Sequence, residues 1–381
     1  MRVALVHDWL TGMRGGERVL DRLARRFPGA DLHTLVHVPG ATSPAIDALR
    51  VHTSLLNGLP GIARHYRKLL PLHPFAARRM RLRDYDLVIS VSHAVAKSVS
   101  LPERIPHLCY CLTPMRYVWD QTDVYLGRGA RRALATPLVG ALRRFDVAHS
   151  GPDQVTRFVA ISRSVADRVR RHYGRDARIV HPPVELDRFQ PQPKSVGDDY
   201  LLIGGFVPYK REEIAIEAFA RLGRRLVVVG DGPTRRRLAA NAPPNVHFTG
   251  RIDDEDLASR LASCRALVHP QEEDFGIAAV EAQAAGRPVI ALGAGGALDT
   301  VRPGLRILAS GATLDLDDAG ATGVLFETQD VPSLMQAVLA FEADSQRFDS
   351  KRIRDHAERF SDERFLRELQ TEIGLTLEGR G

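Results

Sequence analysis

The chain has 381 residues, 44% apolar and 26% charged, which predicts two domains with cores large enough to fold without disulfides or metals and excludes a disordered or fibrous chain. The net charge of +7 is unevenly placed: residues 1–190 carry 30 Lys/Arg against 16 Asp/Glu, a net of +14, and residues 191–381 carry 23 against 30, a net of −7. A basic half attracts phosphate-rich partners, but an aromatic content of 6% is too thin for base stacking and no nucleic-acid module is recognisable, so nucleic acid is not expected as a partner. VALV (3–6) follows Met1 directly and reads as a strand, which predicts no signal peptide and a cytosolic protein. No run reaches the roughly 18 uncharged apolar residues of a spanning helix. A helix is expected from about Glu17 to Phe27, with Val19, Leu20, Leu23 and Phe27 on one face.

Further strands are read at LHTLV (32–36), DLVISVS (86–92) and FVAIS (158–162), the last feeding a helix capped by Ser162. Residues 61–83 interleave Leu, Phe, Met and Ile with Lys/Arg and no acid, the composition of a segment lying on an anionic membrane surface or of a basic surface loop and helix; Pro71 and Pro74 prevent one continuous amphipathic helix. The Pro-rich, polar stretch 181–199 reads as an interdomain linker and falls where the charge changes sign. A second strand series follows: YLLIG (200–204), RLVVVG (225–230), NVHFTG (245–250), ALVHP (266–270) and PVIAL (288–292). Strands alternating with helices define an α/β protein of two doubly wound parallel-sheet domains with a cleft where their strand ends face each other. The tail from Asp344 is helix-forming, with Phe348, Ile353, Phe360, Phe365, Leu366, Leu369 and Ile373 available to pack. Cys109, Cys111 and Cys264 form neither a disulfide framework nor a zinc pattern and read as small buried hydrophobes.

Two constellations could carry chemistry. Gly12, Gly15 and Gly16 lie between the first strand and the first helix, where backbone N–H groups can face an anion; the spacing is that of neither a P-loop nor G-x-G-x-x-G, and a turn needed only for close packing would look the same. EDFGIAAVE (273–281) places Glu273 in a loop after a strand and Glu281 two turns into a helix beginning near Gly276. Carboxylates for hydroxyls and a helix N-terminus for phosphate describe a sugar-nucleotide site, although two surface acids would give the same string.

On these residues the chain resembles the retaining GT-B glycosyltransferases of family 4. Glu273 to Glu281 matches their E-x7-E element, and GGER (15–18), SHAVAKS (92–98), TPMRYVWD (113–120), VPYKREE (207–213), HPPVELDRF (181–189) and GAGGALDTV (293–301) agree in order and spacing. The branch it is most similar to includes mannosyltransferases of bacterial surface-polysaccharide assembly. The resemblance implies an N-terminal acceptor-binding domain at 1–185, a donor-binding domain at 190–345 and C-terminal helices at 346–381 that return to the first domain. It also implies transfer of mannose from GDP-mannose to a lipid-linked saccharide, peripherally on the inner face of the plasma membrane.

By the same resemblance Gly15 and Gly16 meet the donor diphosphate, and Lys210 neutralises the leaving nucleotide, with Arg211 beside it. Glu273 holds the transferred sugar, Glu281 the ribose, and Phe275, Gly276 and Ile277 supply amides. His93 stands near the anomeric centre, and Arg116, Tyr117, Trp119 and Asp120 shape the acceptor side. No cofactor or metal is implied: no Asp-x-Asp motif of the metal-dependent kind stands between the two halves, and the string in DLDD (315–318) lies past the nucleotide elements. One position departs from the family. Gly205 stands where an Arg usually pairs with the donor phosphates, five residues before Lys210, so Arg211 or Arg116 would have to substitute. A UDP-sugar transferase or epimerase, or a catalytically degenerate sugar-nucleotide binder, remains an alternative.

Overall fold

The structure, a computed structural model, describes residues 1–102, 104–122, 130–192, 196–316 and 318–379. The chain forms two compact units, one built from Met1–Pro183 with the residues from Glu363 onward, the other from Val184–Asp362.

Among the described residues, the first unit holds seven strands: β1 Val3–Leu10, β2 Asp31–His37, β3 Arg50–Thr53, β4 Leu87–Ser92, β5 His107–Cys111, β6 Arg157–Ala160 and β7 Ala177–Ile179. Their order is β3-β2-β1-β4-β5-β6-β7 and every pairing is parallel. β1 is buried along its whole length, as a central strand covered on both faces must be, which is why VALV reads as a continuous apolar run. The order reverses between β1 and β4, and a doubly wound sheet opens a crevice at the carboxyl ends of the strands at such a point. The helix after β1 runs Gly15–Arg26, two residues earlier than expected, because Glu17 Oε2 accepts the Arg14 N–H at 3.2 Å and covers the helix entry.

The second unit holds, among the described residues, eight strands: β8 Tyr200–Gly204, β9 Leu226–Gly230, β10 Val246–Gly250, β11 Ala266–His269, β12 Val289–Leu292, β13 Pro303–Ile307, β14 Thr313–Asp315 and β15 Gly323–Phe326. They run β10-β9-β8-β11-β12-β15-β13-β14, parallel except for the β13/β14 hairpin, and the reversal lies between β8 and β11. Tyr200, Leu202, Phe219, Val228, Val268, Ile290, Phe326 and Phe341 fill its core.

The stretch 181–199 is a linker only in part. Val184, Leu186 and Phe189 are buried, and Arg354 Nη1 donates to the carbonyls of Leu186, Phe189 and Ala284 at 2.7–2.9 Å, which fastens 184–189 to the second unit; residues 193–195 lie outside the described residues, as does Asp317 of DLDD. The tail divides as well. Phe348 and Ile353 join the second core and Phe360 lies edge-on to Phe275 at 5.6 Å, so the second unit runs to Asp362, past the expected 345. The final helix, Asp362–Glu378, packs on the first unit through Phe365, perpendicular to Tyr110 at 5.7 Å, and through Glu372, 3.3 Å from Arg157 Nη1. The three cysteines are buried and free.

Residues 61–83 fold as a short helix Ile62–His65, a 3-10 segment Tyr66–Leu72 containing Pro71, and a helix His73–Arg79. Ile62, Tyr66, His73, Ala76 and Ala77 face inward, whereas Leu72 and Phe75 are 48% and 59% exposed. Among the described residues, no helix is long and apolar enough to cross a membrane.

Candidate functional site

The switch point of each sheet gathers residues that the sequence singled out. In the first unit the organising group is Asp8, near the end of β1 and fully buried. Its Oδ2 accepts the N–H groups of His93 at 2.8 Å and Ala94 at 3.0 Å, and its Oδ1 those of Val95 and Ala96, both at 2.7 Å. Oδ2 also lies 3.1 Å from His93 Nδ1, off the line of a full hydrogen bond, so this contact is mainly electrostatic. Burial would raise Asp8, but the charge on His93 and His7 and the backbone donors outweigh it and hold the carboxyl below its usual range. His93 is itself held below the ordinary histidine value by burial, against the pull of Asp8.

Beside it, His7 Nδ1 donates to Val91 O at 2.9 Å, and Nε2 faces Glu17 Oε1 at 3.7 Å. Trp9 meets His93 edge-on at 4.5 Å. Gly15 and Gly16 are the first two residues of the helix rather than part of the preceding loop, so their N–H groups belong to the helix N-terminus. Gly16 has a packing reason as well: a Cβ there would stand 2.7 Å from Leu112 Cδ1 and 3.2 Å from His7 Cε1. The far end of the His93 loop is held by a second buried carboxylate, Asp146, which pairs with Lys97 Nζ and accepts Trp119 Nε1 and Tyr173 Oη, both at 2.8 Å.

The residues expected on the acceptor side make contacts within the first unit. Trp119 stacks on His172 at 4.4 Å, Asp120 lies 3.4 Å from His172 Nε2 and 3.8 Å from Arg168 Nε, and Tyr117 donates to Met115 Sδ at 3.2 Å. The Arg116 carbonyl accepts the Gln121 N–H at 2.8 Å and closes that turn.

In the second unit the loops after β8 and β11 meet through Lys210 Nζ and Glu273 Oε1, 2.7 Å apart and both largely shielded from solvent. Burial lowers Lys210, but the Glu273 charge and hydrogen bond outweigh it and raise the amine above its ordinary value, so the cation persists at neutral pH. The β8 loop is tight. Phe206 has φ 44° and its N–H donates to Glu212 Oε1 at 2.9 Å, while Thr234 Oγ1 donates to Phe206 O at 2.8 Å. A Cβ at Gly205 would stand 3.5 Å from Lys210 Nζ, so the position lacking the expected Arg adjoins that cation. Arg211 turns away: it has φ 57°, and its Nε pairs with Glu213 at 2.8 Å.

Around Glu273 the backbone is fixed by glycine. Gly295 has φ 59°, and a Cβ there would stand 2.3 Å from Glu273 O, which accepts the Gly296 N–H at 2.8 Å. Gly276, φ 86°, precedes the helix Ile277–Ala284 and opens its first N–H groups. Phe275 points into the core, so only its backbone is available to a ligand. Glu281 is the fifth residue of this helix, one turn in rather than two, and is 5% exposed.

Sequence reasoning passed over Asp8, Gln271 and His269. The signal for Asp8 was a lone carboxylate inside an otherwise apolar central strand. Gln271, buried, donates Nε2 to Ile203 O at 3.2 Å and so ties the loop after β11 to the end of β8; burial lowers His269 below the usual histidine value.

Two family models divide the chain between them: Glycosyltransferase Family 4 over residues 13–188 and Glycosyl transferases group 1 over residues 184–360. The chain therefore belongs to the family 4 glycosyltransferases, and its two parallel-sheet α/β units are those of the GT-B fold. A GDP-mannose-dependent alpha-mannosyltransferase of Corynebacterium glutamicum is 34% identical over 210 residues, covering 52% of this chain and 49% of that protein. A D-inositol 3-phosphate glycosyltransferase of Streptomyces scabiei is 31% identical over 232 residues, 51% of each chain. The matches span about half the length of these curated relatives. Among solved structures, Anabaena HepE in complex with UDP superposes with a TM-score of 0.70 at 17% identity, covering 98% of this chain and 100% of that one. Sucrose-phosphate synthase of Thermosynechococcus elongatus does so with 0.72 at 21% identity, covering 98% and 99%.

Proposed function

We propose that the protein is a retaining transferase that moves a hexose, mannose from GDP-mannose, to a hydroxyl of a lipid-linked saccharide in cell-surface polysaccharide synthesis. The observation that carries the reading is the Lys210–Glu273 pair at the β8/β11 switch point, beside the helix opening at Gly276. A cation and a helix N-terminus that no side chain caps suit a departing nucleoside diphosphate, and Lys210 would stabilise the charge that develops on it. Glu273 and Glu281 would take sugar and ribose hydroxyls, the Gly15 and Gly16 amides the diphosphate, and His93 the transferred sugar. The mannosyltransferase relative supports the choice of donor.

Because Lys210 and the backbone amides supply the positive charge, the reaction would need no metal. The exposed Leu72 and Phe75, set among basic residues, support attachment to an anionic membrane surface through residues 61–83 on the cytoplasmic side. Vesicle binding that weakens with salt would test this.

A second reading, a sugar-nucleotide binder without turnover, is favoured by Gly205 and by the diversion of Arg211 onto Glu213. Thermal stabilisation by GDP, UDP, ADP, GDP-mannose and UDP-glucose, each with and without EDTA, separates the possibilities, since a ligand bound only to the native state raises the melting temperature. A GDP-specific shift that survives EDTA, with release of GDP from GDP-mannose on adding acceptor, supports the transferase. A shift without turnover supports the binder, and no shift removes both.

A further inference from the structure

The geometry points to Asp8 as the positioning residue of the site: it fixes the loop that carries His93 and fixes which nitrogen of His93 bears the proton. This rests on the reading that His93 serves the transfer reaction.

Four successive N–H groups, from His93 to Ala96, converge on one buried carboxylate. A carboxylate is acceptor-only, so four donors can be satisfied at once, and no neutral side chain of this size can do the same. With Asp8 Oδ2 3.1 Å from Nδ1, a neutral imidazole must carry its proton there, because the other tautomer would set a nitrogen lone pair against a carboxylate. The Nδ1 atom is buried, yet the side chain is 28% exposed, so the exposed edge is the opposite one. Nε2 is thereby left as an acceptor for a hydroxyl of donor or acceptor sugar. Lys97, at the far end of the loop, is spent on Asp146 and has only a structural part.

Nitrogen-15 NMR of histidine-labelled wild-type protein tests the assignment without any variant. His93 should be the Nδ1–H tautomer at pH 7 to 8; the Nε2–H tautomer would overturn the proposal. The groups facing the pair are His7 on β1, Arg14 and Glu17 at the first helix, His73 at the start of His73–Arg79, and Tyr117. A His7→Gln control therefore assigns the resonance against the neighbouring imidazole, whose centroid lies 5.9 Å from that of His93.

Asp8→Asn should shift His93 towards Nε2–H and lower kcat with GDP-mannose about a hundredfold while leaving GDP affinity within about twofold of wild type. His93→Gln should lower kcat similarly, and the double variant should be no worse than either alone. Additive losses, or an unchanged tautomer in Asp8→Asn, would refute the positioning role. Should Asp8→Asn fail to fold, the wild-type tautomer and the His93→Gln kinetics still decide. Should wild type turn over no sugar nucleotide, the functional reading fails and the tautomer measurement judges Asp8 independently.

Discussion

Replacing Gly205 with arginine probes the phosphate-binding reading at its weakest point. A Cβ at this position would lie 3.5 Å from Lys210 Nζ and 3.8 Å from Lys210 Cε, ordinary van der Waals contacts, and Gly205 is not among the residues with positive φ, so the backbone accepts a side chain. The introduced guanidinium would stand beside Lys210 and share Glu273. Two like charges about 6 Å apart in an effective dielectric of about 20 repel by about 3 kcal/mol, and the Glu273 carboxylate at similar range offsets most of this. Gly205→Arg should therefore change the unfolding free energy by no more than about 1 kcal/mol without nucleotide. A diphosphate replaces repulsion by attraction. A hydrogen bond between charged groups contributes about 1.5–3 kcal/mol, so GDP should bind about ten- to a hundredfold more tightly. Isothermal titration with GDP, repeated with Lys210→Ala in both backgrounds, measures the gain and its coupling to the lysine. A variant that folds with wild-type stability yet binds GDP no better would refute the placement of the phosphates beside Lys210.

Lys210→Ala should lower kcat about a hundredfold or more while weakening GDP affinity much less, since a leaving-group cation acts on charge that develops during the reaction; equal losses in both would show that it merely binds. Gly295→Ala should destabilise the second unit by about 2–4 kcal/mol in urea titrations, because its Cβ would stand 2.3 Å from Glu273 O at a φ of 59°; a change below about 1 kcal/mol would mean that the loop can shift. Burial holds His107 down to about 4 from an ordinary 6.5, so the unfolded chain takes up the proton first as pH falls. Its contribution is present above pH 6.5 and is lost between 6.5 and about 4, at about 1.4 kcal/mol per pH unit. His107→Gln should make the fall in stability over that window shallower without abolishing it, since His33 and His356 are also held at about 4 by burial; an unchanged slope would contradict the assignment.

The parallel strands were legible where they are long apolar runs, as at Val3–Leu10 and Leu226–Gly230, because burial on both faces leaves no polar alternation. β5, HLCYC, escaped notice: His107 and Tyr110 are buried polar-tipped residues satisfied by Gln154 O and Val180 O, partners that local pattern does not reveal. β13 to β15 are short and partly paired out of sequence order, and only the assembled sheet identifies them. Within the candidate site, Glu273 was legible because it sits in a loop just after a recognisable strand, and Lys210 only through the family resemblance of VPYKREE (207–213). Asp8 was not, since its partners lie 85 to 88 residues further along the chain and are backbone groups, which carry no side-chain signature.

The helix Asp362–Glu378 sets an order on synthesis. Domains of a growing chain ordinarily fold as they emerge, the first before the second. Here the segment Val184–Asp362 is continuous and has all its strands before that helix is made, whereas the first unit waits for Phe365 to cover Tyr110 and for Glu372 to reach Arg157. The later unit can close first, and the earlier one stays open until the helix Asp362–Glu378 has emerged. A stop codon placed just after Phe360 would thus injure the half of the protein that was translated first.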